Sequence, residues 1–376
     1  MKISSTQENL NQGLLICSHI ANKNANLPIL ANILITSKDK ILILSATNLE
    51  IGVSVNIRSK VEEEGEFSVE AKLLSDFISL LPKERVDLNF DGSDLNIKCG
   101  KQKTKIKSQI ATDFPLIPKI EKKNPYLIKS KDFKQAILEV IFAVSSLETR
   151  PEFSGVYMKI NQKELILAAT DSYRLAERKI KLSEENNQGE KEVIIPAKTL
   201  QEISRILGVF KDDLTLENIE NVEIYLTENQ IMFSYNGVDL ISRLIEGQYP
   251  DYTQIIPTSH QTDIKTNNSD LIKAVKTSSL FTKSGVYDVK IEFKTKEKEA
   301  VLTSSSSQVG ENISILEAEI VGVDNNIVLN HRYLLDGLLN INSELVEIEM
   351  TDSNSPCLIR PNGSKQYTYI IMPIRQ

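Results

Sequence analysis

The feature that most constrains the fold of this chain is a short segment that occurs three times. Residues 42–48 read LILSATN, residues 165–171 read LILAATD, and a more divergent copy, AVLTSSS, spans residues 300–306. The copies lie roughly 125 residues apart, well beyond the roughly 20 to 50 residues of a solenoid repeat, so each copy belongs to a full domain. The apolar half of the middle copy predicts a buried strand whose end presents Tyr173 and Arg174 at a surface.

Each of the three repeats is also predicted to contain two amphipathic helices. Ser5, with Glu8 three residues later, predicts a capping box at the start of the first of these helices. In the first helix of every repeat, a small residue lies three positions after an apolar one, which favours close approach of two helices. The pairs are Leu10 and Gly13, Phe133 and Ala136, and Leu271 and Ala274. The second helices begin at Ala71, Ala197 and His331, and each has a basic residue at its second position: Lys72, Lys198 and Arg332.

These patterns predict an α+β fold of three similar domains, each with two helices packed on an antiparallel sheet. Segments 40–44, 222–226 and 290–294 alternate as half-buried antiparallel strands do. An aromatic residue and a proline end each of the first two repeats, Phe114 with Pro115 and Tyr249 with Pro250, and a further proline follows as in a stiff linker. The predicted domains are residues 1–124, 125–256 and 257–376.

Composition limits the class of protein. With 41% hydrophobic and 25% charged residues the chain is globular, and its net charge of -7 argues against nucleic acid as a partner unless the charge is distributed unevenly. No run of 18 apolar residues and no secretory signal is found, so no membrane partner is expected. Cys17, Cys99 and Cys357 lie far apart, which predicts free thiols and a reducing, cytoplasmic location.

Motifs for catalysis are missing from the sequence. It has no phosphate-binding loop, no HExxH, no CxxC and no nucleophile elbow, and its three histidines are not spaced to share a metal. We therefore predict no catalytic centre, no metal and no cofactor. Asp171 is expected to cap its own turn or to pair with Arg174. Two alternatives stay open: an α+β enzyme with Asp171, Tyr173 and Arg174 as its site, or a scaffold that uses this surface without nucleic acid.

Basic residues recur on the predicted helices, away from the apolar stripes. Repetition at equivalent positions favours a shared positive surface that would attract phosphates without reading sequence. The residues are Lys72, Lys131, Lys134, Lys198, Arg205, Lys273, Lys276 and Arg332.

Taken together, several short motifs resemble those of the bacterial sliding clamps, the beta subunit of DNA polymerase III. They are LPIL at 27–30, ATNLE at 46–50, DFP at 113–115, ATDSYRLA at 169–176, YPDY at 249–252 and MPIR at 372–375, and they cover essentially the whole chain. The resemblance implies a non-catalytic processivity factor, with two chains joined head to tail into a six-domain ring around duplex DNA. It also implies the polymerase alpha subunit, the clamp loader and other clamp-motif proteins as partners.

The same resemblance implies roles for particular residues. A pocket for partner peptides would be lined by Phe153, Thr170, Tyr173, Arg174, Leu175, Pro250, Ile255, Asn330, Tyr333, Met372, Pro373, Ile374 and Arg375. Besides the basic residues named above, Lys23 and Arg150 would face DNA. The ring contact would use strand 101–110 and helix region 269–281, with Thr104, Ile106, Thr277 and Leu280. The chain departs from the family pattern at Ser172 and Tyr173, Gln254, Asn354 and Pro356, which affects the peptide preference of the pocket.

Overall fold

The structure is a computed structural model, and it describes residues 1–21, 26–146, 150–186, 189–210, 220–282 and 287–375. These residues form six α-helices, and every strand pair among them is antiparallel. The α+β class predicted from the sequence is therefore confirmed. No helix in the described ranges is long and apolar enough to cross a membrane.

The first repeat contains nine strands and two helices. They are β1 (Lys2–Thr6), α1 (Gln7–Ile20), β2 (Asn32–Lys38), β3 (Ile41–Thr47), β4 (Ile51–Ile57), β5 (Ser59–Glu63), β6 (Gly65–Glu70), α2 (Ala71–Ser79), β7 (Arg85–Phe90), β8 (Asp94–Cys99) and β9 (Gln102–Gln109).

The middle and last repeats follow the same order, with four strands instead of five between their two helices. The middle repeat has β10 (Tyr126–Lys129), α3 (Ser130–Ile141), β11 (Gly155–Ile160), β12 (Glu164–Thr170), β13 (Arg174–Lys181), β14 (Lys191–Pro196), α4 (Ala197–Val209), β15 (Asn221–Leu226), β16 (Gln230–Tyr235) and β17 (Val238–Arg243). The last has β18 (Thr262–Asn267), α5 (Asn268–Ser279), β19 (Asp288–Lys294), β20 (Glu299–Ser306), β21 (Gly310–Gly322), β22 (Asn325–Asn330), α6 (His331–Leu339), β23 (Leu345–Met350), β24 (Cys357–Pro361) and β25 (Tyr367–Ile371).

The chain divides into two compact units, and the middle repeat is split between them. Unit 1 is Met1–Lys131 with Glu202–Leu244, and unit 2 is Asp132–Gln201 with Ile245–Gln376. Each unit has one large sheet, ordered β10-β15-β16-β17-β4-β3-β2-β6-β9-β8-β7-β1-β5 in unit 1 and β14-β11-β12-β13-β25-β24-β23-β18-β21-β20-β19-β22 in unit 2.

Two strand pairs join neighbouring repeats within these sheets. In unit 1, β17 pairs with β4, with Leu240 opposite Val53. In unit 2, β25 pairs with β13, with Tyr369 opposite Ala176. We call β4–β17 the first junction and β13–β25 the second junction. In both junctions the last strand of a repeat, β17 or β25, pairs with a strand of the preceding repeat, β4 or β13. The strands β4 and β13 are equivalent to each other in the two repeats.

The helices begin where the sequence predicts, but two details of α1 differ. Its cap is Thr6, whose hydroxyl accepts from the amide of Asn9 at 3.2 Å, because Ser5 lies in β1 and bonds the carbonyl of Arg58. Gly13 marks close approach to the sheet rather than to another helix. A Cβ there would lie 2.3 Å from Cδ1 of Ile57 in β4.

Candidate functional site

A tight turn between β12 and β13 in unit 2 organises the site. The Thr170 hydroxyl donates to the carbonyl of Arg174 at 2.6 Å and accepts from the amide of Ser172. Oδ1 of Asp171 accepts from the amides of Tyr173 and Arg174 at 3.0 and 3.1 Å. The prediction that Asp171 caps its own turn is confirmed. Ser172 takes a φ of +76°, and this leaves Tyr173 at the tip, 61% exposed.

Arg174 is largely buried, contrary to the expectation that it would be presented at the surface. Its side chain is 10% exposed and its donors are used within unit 2. Nε donates to Oδ2 of Asp171 at 3.0 Å, a second nitrogen donates to the carboxylate of Asp336, and the third donates to the carbonyl of Phe142 at 2.9 Å. Burial is the largest single influence and lowers the pKa of Arg174, but the hydrogen bond to Asp336 and the charges of Tyr369, Asp171 and Asp336 together raise the pKa above its usual value.

Aromatic rings surround this guanidinium. Its central carbon lies 4.6 Å from the ring centroid of Tyr333 and 5.6 Å from that of Phe142. Tyr173 stacks on Tyr333 with centroids 6.4 Å apart. The arginine therefore holds Tyr333 and Phe142 by cation–π attraction while two carboxylates neutralise its charge, and Tyr173 is held only through its stacking on Tyr333. We call Thr170, Asp171, Tyr173, Arg174, Tyr333 and Asp336 the Arg174 site.

The C-terminal segment passes along the Arg174 site. The amide of Met372 donates to the carbonyl of Tyr173 at 2.9 Å, and the amide of Ile374 donates to the carbonyl of Val328 at 2.8 Å. Met372, Pro373 and Ile374 remain partly exposed. Asn330 caps α6, because its side chain accepts from the amide of Arg332 at 2.9 Å.

A second group of the predicted pocket residues lies in an apolar cluster of unit 2. Phe153 and Leu175 are buried there with Tyr249, Tyr252, Leu358 and Ile370. Pro250 and Ile255, on the same segment as the two tyrosines, are exposed. All thirteen predicted pocket residues thus lie in unit 2, and whether they bind peptides stays a prediction.

The predicted DNA-facing residues differ in how much their charge is used within the chain. Lys72, Lys198, Arg332, Lys131 and Lys276 are exposed, and no acidic side chain in the described ranges lies at ion-pair distance from them. Lys134 is half-buried and Arg150 is exposed, with its guanidinium 5.3 Å from the Phe153 ring centroid. Lys273 pairs with Asp270 at 3.0 Å. Lys23 lies outside the described residues.

Arg205 has a structural task. It pairs with Glu202 at 3.0 Å and donates to the carbonyl of Ile16 in α1 at 3.1 Å, and His19 of α1 lies 2.6 Å from Glu202. These contacts hold the 202–209 part of α4 against α1. They engage the positive charge of Arg205 within unit 1. Its predicted role in facing DNA stays a prediction.

The predicted ring-contact residues lie on two elements. Thr104 and Ile106 are in β9, where Ile106 is buried and Thr104 half-buried; Thr277 in α5 and Leu280 at its C-cap are exposed, Leu280 by 71%. The sequence analysis missed an apolar surface stripe on α2 and its C-cap. The stripe consists of Leu73 (49% exposed), Phe77 (half-buried) and Leu80 (82% exposed). The signal was present, because α2 has these apolar residues beside a separate buried face of Leu74 and Ile78.

One histidine lies among carboxylates. Nε2 of His260 is 3.0 Å from Asp263 and its Nδ1 is 3.5 Å from Glu349, whose other oxygen is held by Arg360 at 2.8 Å. Each ring nitrogen faces a different carboxylate, and one ligand atom from each of the three residues lies within 4.8 Å of the others.

Comparison with known proteins identifies the class. Three family models of the DNA polymerase III beta subunit match this chain. The model of the N-terminal domain matches residues 1–118, that of the central domain residues 127–251 and that of the C-terminal domain residues 253–375. The beta sliding clamp of Staphylococcus epidermidis is 31% identical over 359 residues, 93% of this chain and 92% of the relative.

Solved structures agree with this result. The DNA polymerase sliding clamp of Bacillus subtilis matches with a TM-score of 0.92 at 29% identity, over 100% of this chain and 99% of the other. The beta subunit of Thermotoga maritima matches with a TM-score of 0.90 at 27% identity, over 100% and 99%.

The fold and these matches define a sliding clamp. The chain belongs to the DNA polymerase III beta subunit family. This family is one of non-catalytic processivity factors, so the expectation of a non-enzymatic clamp is confirmed, and neither the enzyme nor the scaffold alternative is supported. The domain limits 1–124, 125–256 and 257–376 stay predictions.

Proposed function

We propose that two copies of this chain close head to tail into a ring around duplex DNA in the cytoplasm. The ring tethers the polymerase alpha subunit, the clamp loader and other clamp-motif proteins at the Arg174 site and the residues 372–375 beside it. The observation that carries the proposal is a pair of strand edges that lack the partner found at both junctions.

The first open edge is β9 in unit 1. It is the last strand of its repeat, like β17 and β25. Its partner on one side is β8, but on the other side β6 pairs only with Ser108 and Gln109. Residues 102–107 therefore present unpaired backbone groups, as the edge predicted for strand 101–110 requires.

The second open edge is the first half of β21 in unit 2. Residues 310–317 pair with β20 on one side, and pairing with β18 on the other side begins only at Ala318. Equivalent strands β4 and β13 have the last strand of the following repeat at that place. By analogy with β4 and β13, we infer that β9 of a second copy occupies this place on β21.

Equivalence among the repeats also predicts a register for this pairing. Ser304, Ala46 and Ala169 are equivalent, and their sheet partners are Asn312, Val53 and Ala176. Thr104 in β9 corresponds to Leu240 and Tyr369, which lie opposite Val53 and Ala176. Thr104 of one copy is therefore expected opposite Asn312 of the other, and Lys105 opposite Glu311.

Helix contacts support the same closure. His19, Phe142 and Leu280 occupy equivalent places after or near the end of each first helix. His19 contacts Glu202 of α4, and the Phe142 carbonyl accepts from Arg174, which binds Asp336 of α6. By analogy Leu280 contacts α2 of the second copy, where Leu73, Phe77 and Leu80 form the exposed stripe.

Closure of two such contacts gives a dimer, since each copy supplies one β9 edge and one β21 edge. The basic second position of every second helix, occupied by Lys72, Lys198 and Arg332, would then repeat six times around the ring. Attraction from exposed lysine and arginine side chains keeps DNA centred without fixing a sequence, so the ring can slide.

The test is retention on DNA after loading by the clamp loader with ATP. The chain should stay on nicked circular DNA and leave when the circle is linearised, because the link is topological. A variant with Leu73→Asp and Leu80→Asp, which should not close, serves as the control. Equal retention on circular and linear DNA, or retention of the control on circles, would contradict the ring.

A further inference from the structure

Segment 248–256, which links the middle and last repeats, forms part of the proposed partner site. It contributes Pro250 and Ile255, both exposed, to the residues predicted to bind peptides. No strand pairs with this segment in the described part of unit 2, so something else must fix its position. Between the two exposed residues lies Tyr252, which is only 8% exposed.

The hydroxyl of Tyr252 donates to Oε2 of Glu177 at 2.7 Å, and Glu177 itself is 5% exposed in β13. Lys179 holds the other oxygen of Glu177 at 3.2 Å. Burial, followed by the charge and hydrogen bond of Glu177, raises the pKa of Tyr252 well above its usual value. The phenol therefore remains a donor at any physiological pH.

Local hydrogen bonds make the segment stiff around this anchor. Asp251 begins a 3₁₀ turn, Tyr252–Ile255, and its Oδ1 accepts from the amide of Thr253 at 3.1 Å. Oδ1 also accepts from the Thr253 hydroxyl at 2.5 Å, and Oδ2 accepts from the side-chain amide of Gln254 at 2.9 Å. The Thr253 hydroxyl, followed by the Gln254 side chain and the Thr253 amide, holds the pKa of Asp251 below its usual value. A stiff turn with one buried anchor transmits the position of Tyr252 to its exposed neighbours.

We propose that the hydrogen bond between Tyr252 and Glu177 positions Pro250 and Ile255 for partner binding. The inference rests on the proposed function, because it concerns the same partner site. Glu177 lies in β13 three residues after Arg174, so one strand bears both the Arg174 site and the anchor of the segment. Tyr252 and Glu177 are positioning residues that reach the partner through Pro250 and Ile255.

The test compares two variants that each remove one hydroxyl from the same aromatic cluster. Tyr252→Phe removes the bond to Glu177 and keeps the ring. Tyr157→Phe is the matched control, because its ring stacks on Tyr249 with centroids 5.2 Å apart while its hydroxyl bonds Glu192 rather than the segment. Affinity for the purified polymerase alpha subunit is measured by surface plasmon resonance.

Tyr252→Phe should weaken binding about five- to tenfold. This is less than the roughly tenfold to hundredfold value of a buried hydrogen bond to a charged group, because only the part needed to order the segment is lost from the affinity. Tyr157→Phe should bind as the unmodified chain does. Hydrogen exchange of the amides in 249–256, measured on the free protein, should quicken in Tyr252→Phe alone.

Unchanged exchange and unchanged affinity in Tyr252→Phe would overturn the inference, as would equal losses in both variants. If the unmodified chain does not bind the polymerase subunit, the proposed function fails instead. Faster exchange confined to Tyr252→Phe would then still show the anchor but remove its role in binding.

Discussion

The two junctions and the two open edges of this molecule are built from equivalent strands. They differ in the side chains at one pair of equivalent positions on each strand pair. At the first junction Ile241 lies opposite Gly52, and Ile117 of the following segment packs where a Gly52 side chain would be. At the second, Ile370 lies opposite Leu175 beneath Tyr249 and Tyr252. On this face both junctions are apolar and covered by a linking segment.

At the open edges the corresponding residues are Lys105 and Glu311. Lys105 is half-exposed and already pairs with Asp94 at 2.7 Å, and Lys107 pairs with the same carboxylate at 3.0 Å. A contact between such charged side chains can open without exposing buried apolar surface to water. The contrast suggests a division of roles: the junctions within a chain form permanent core, and the contact proposed between two chains at the open edges would form and separate more readily.

The largest effect is expected from charges placed in the α2 stripe. Leu73→Asp with Leu80→Asp should raise the dimer dissociation constant about a thousandfold or more, because an unpaired buried charge costs several kcal/mol. Sedimentation equilibrium should then report a mass near 42.3 kDa, where the unmodified protein is expected at twice that mass. Leu116→Asp, at a leucine that is 97% exposed, is the control and should remain a dimer.

The second prediction concerns a junction rather than an edge. Arg174→Ala should lower the free energy of unfolding by about 2–4 kcal/mol, because Asp171 and Asp336 lose a largely buried partner. It should also abolish partner binding while the dimer persists. Chemical denaturation and sedimentation measure the two results. A variant that loses the dimer together with stability would show that junction and edge are not independent.

The register at the open edges can be tested by exchanging charges. Glu311→Lys and Lys105→Glu should each weaken the dimer about tenfold, because like charges would lie opposite each other in the pair. The double variant should recover most of the loss, since both contacts of the ring then hold exchanged charges. Glu319→Lys, in the half of β21 that pairs with β18, is the control. An absence of recovery would contradict the register of Lys105 with Glu311.

Salt should produce the smallest effect. Raising the ionic strength from about 0.1 to 0.5 M should weaken the dimer a few-fold, because exposed ion pairs are screened. The midpoint temperature of thermal unfolding should hardly change, because it depends on the covered apolar junctions within each chain. Dissociation that is independent of salt would indicate that the apolar contacts of α2 and Leu280 carry the whole interface.

Much of this fold follows from the sequence because the repeats constrain one another. The starts of α2, α4 and α6 at Ala71, Ala197 and His331 were predicted, and so was the turn at Asp171, since local patterns determine both. Local patterns do not determine which surface a residue meets. Gly13 faces a strand, Ser5 continues β1, and Arg174 folds back onto Asp336, 162 positions away.

The candidate site shows the same division between local and distant information. The turns at Thr47 and Thr170 have the same hydrogen bonds. Each threonine hydroxyl accepts from the amide two residues on, and Oδ1 of Asn48 or Asp171 accepts from the amides two and three residues on. The position of Arg174 is occupied by buried Ile51 in the first repeat. The turn could therefore be predicted from sequence, but the partners of Arg174 could not.

The most direct test of ring closure is a disulfide between Lys105→Cys and Glu311→Cys. Directly opposite residues of an antiparallel pair have Cα atoms about 4.5–5.5 Å apart, within the range that a disulfide spans. The native Cys17, Cys99 and Cys357 are buried and should not interfere. Mild oxidation should give a covalent dimer on a non-reducing denaturing gel, whereas Lys105→Cys with Glu317→Cys should not. No covalent dimer from the first pair, or equal yields from both pairs, would contradict the account.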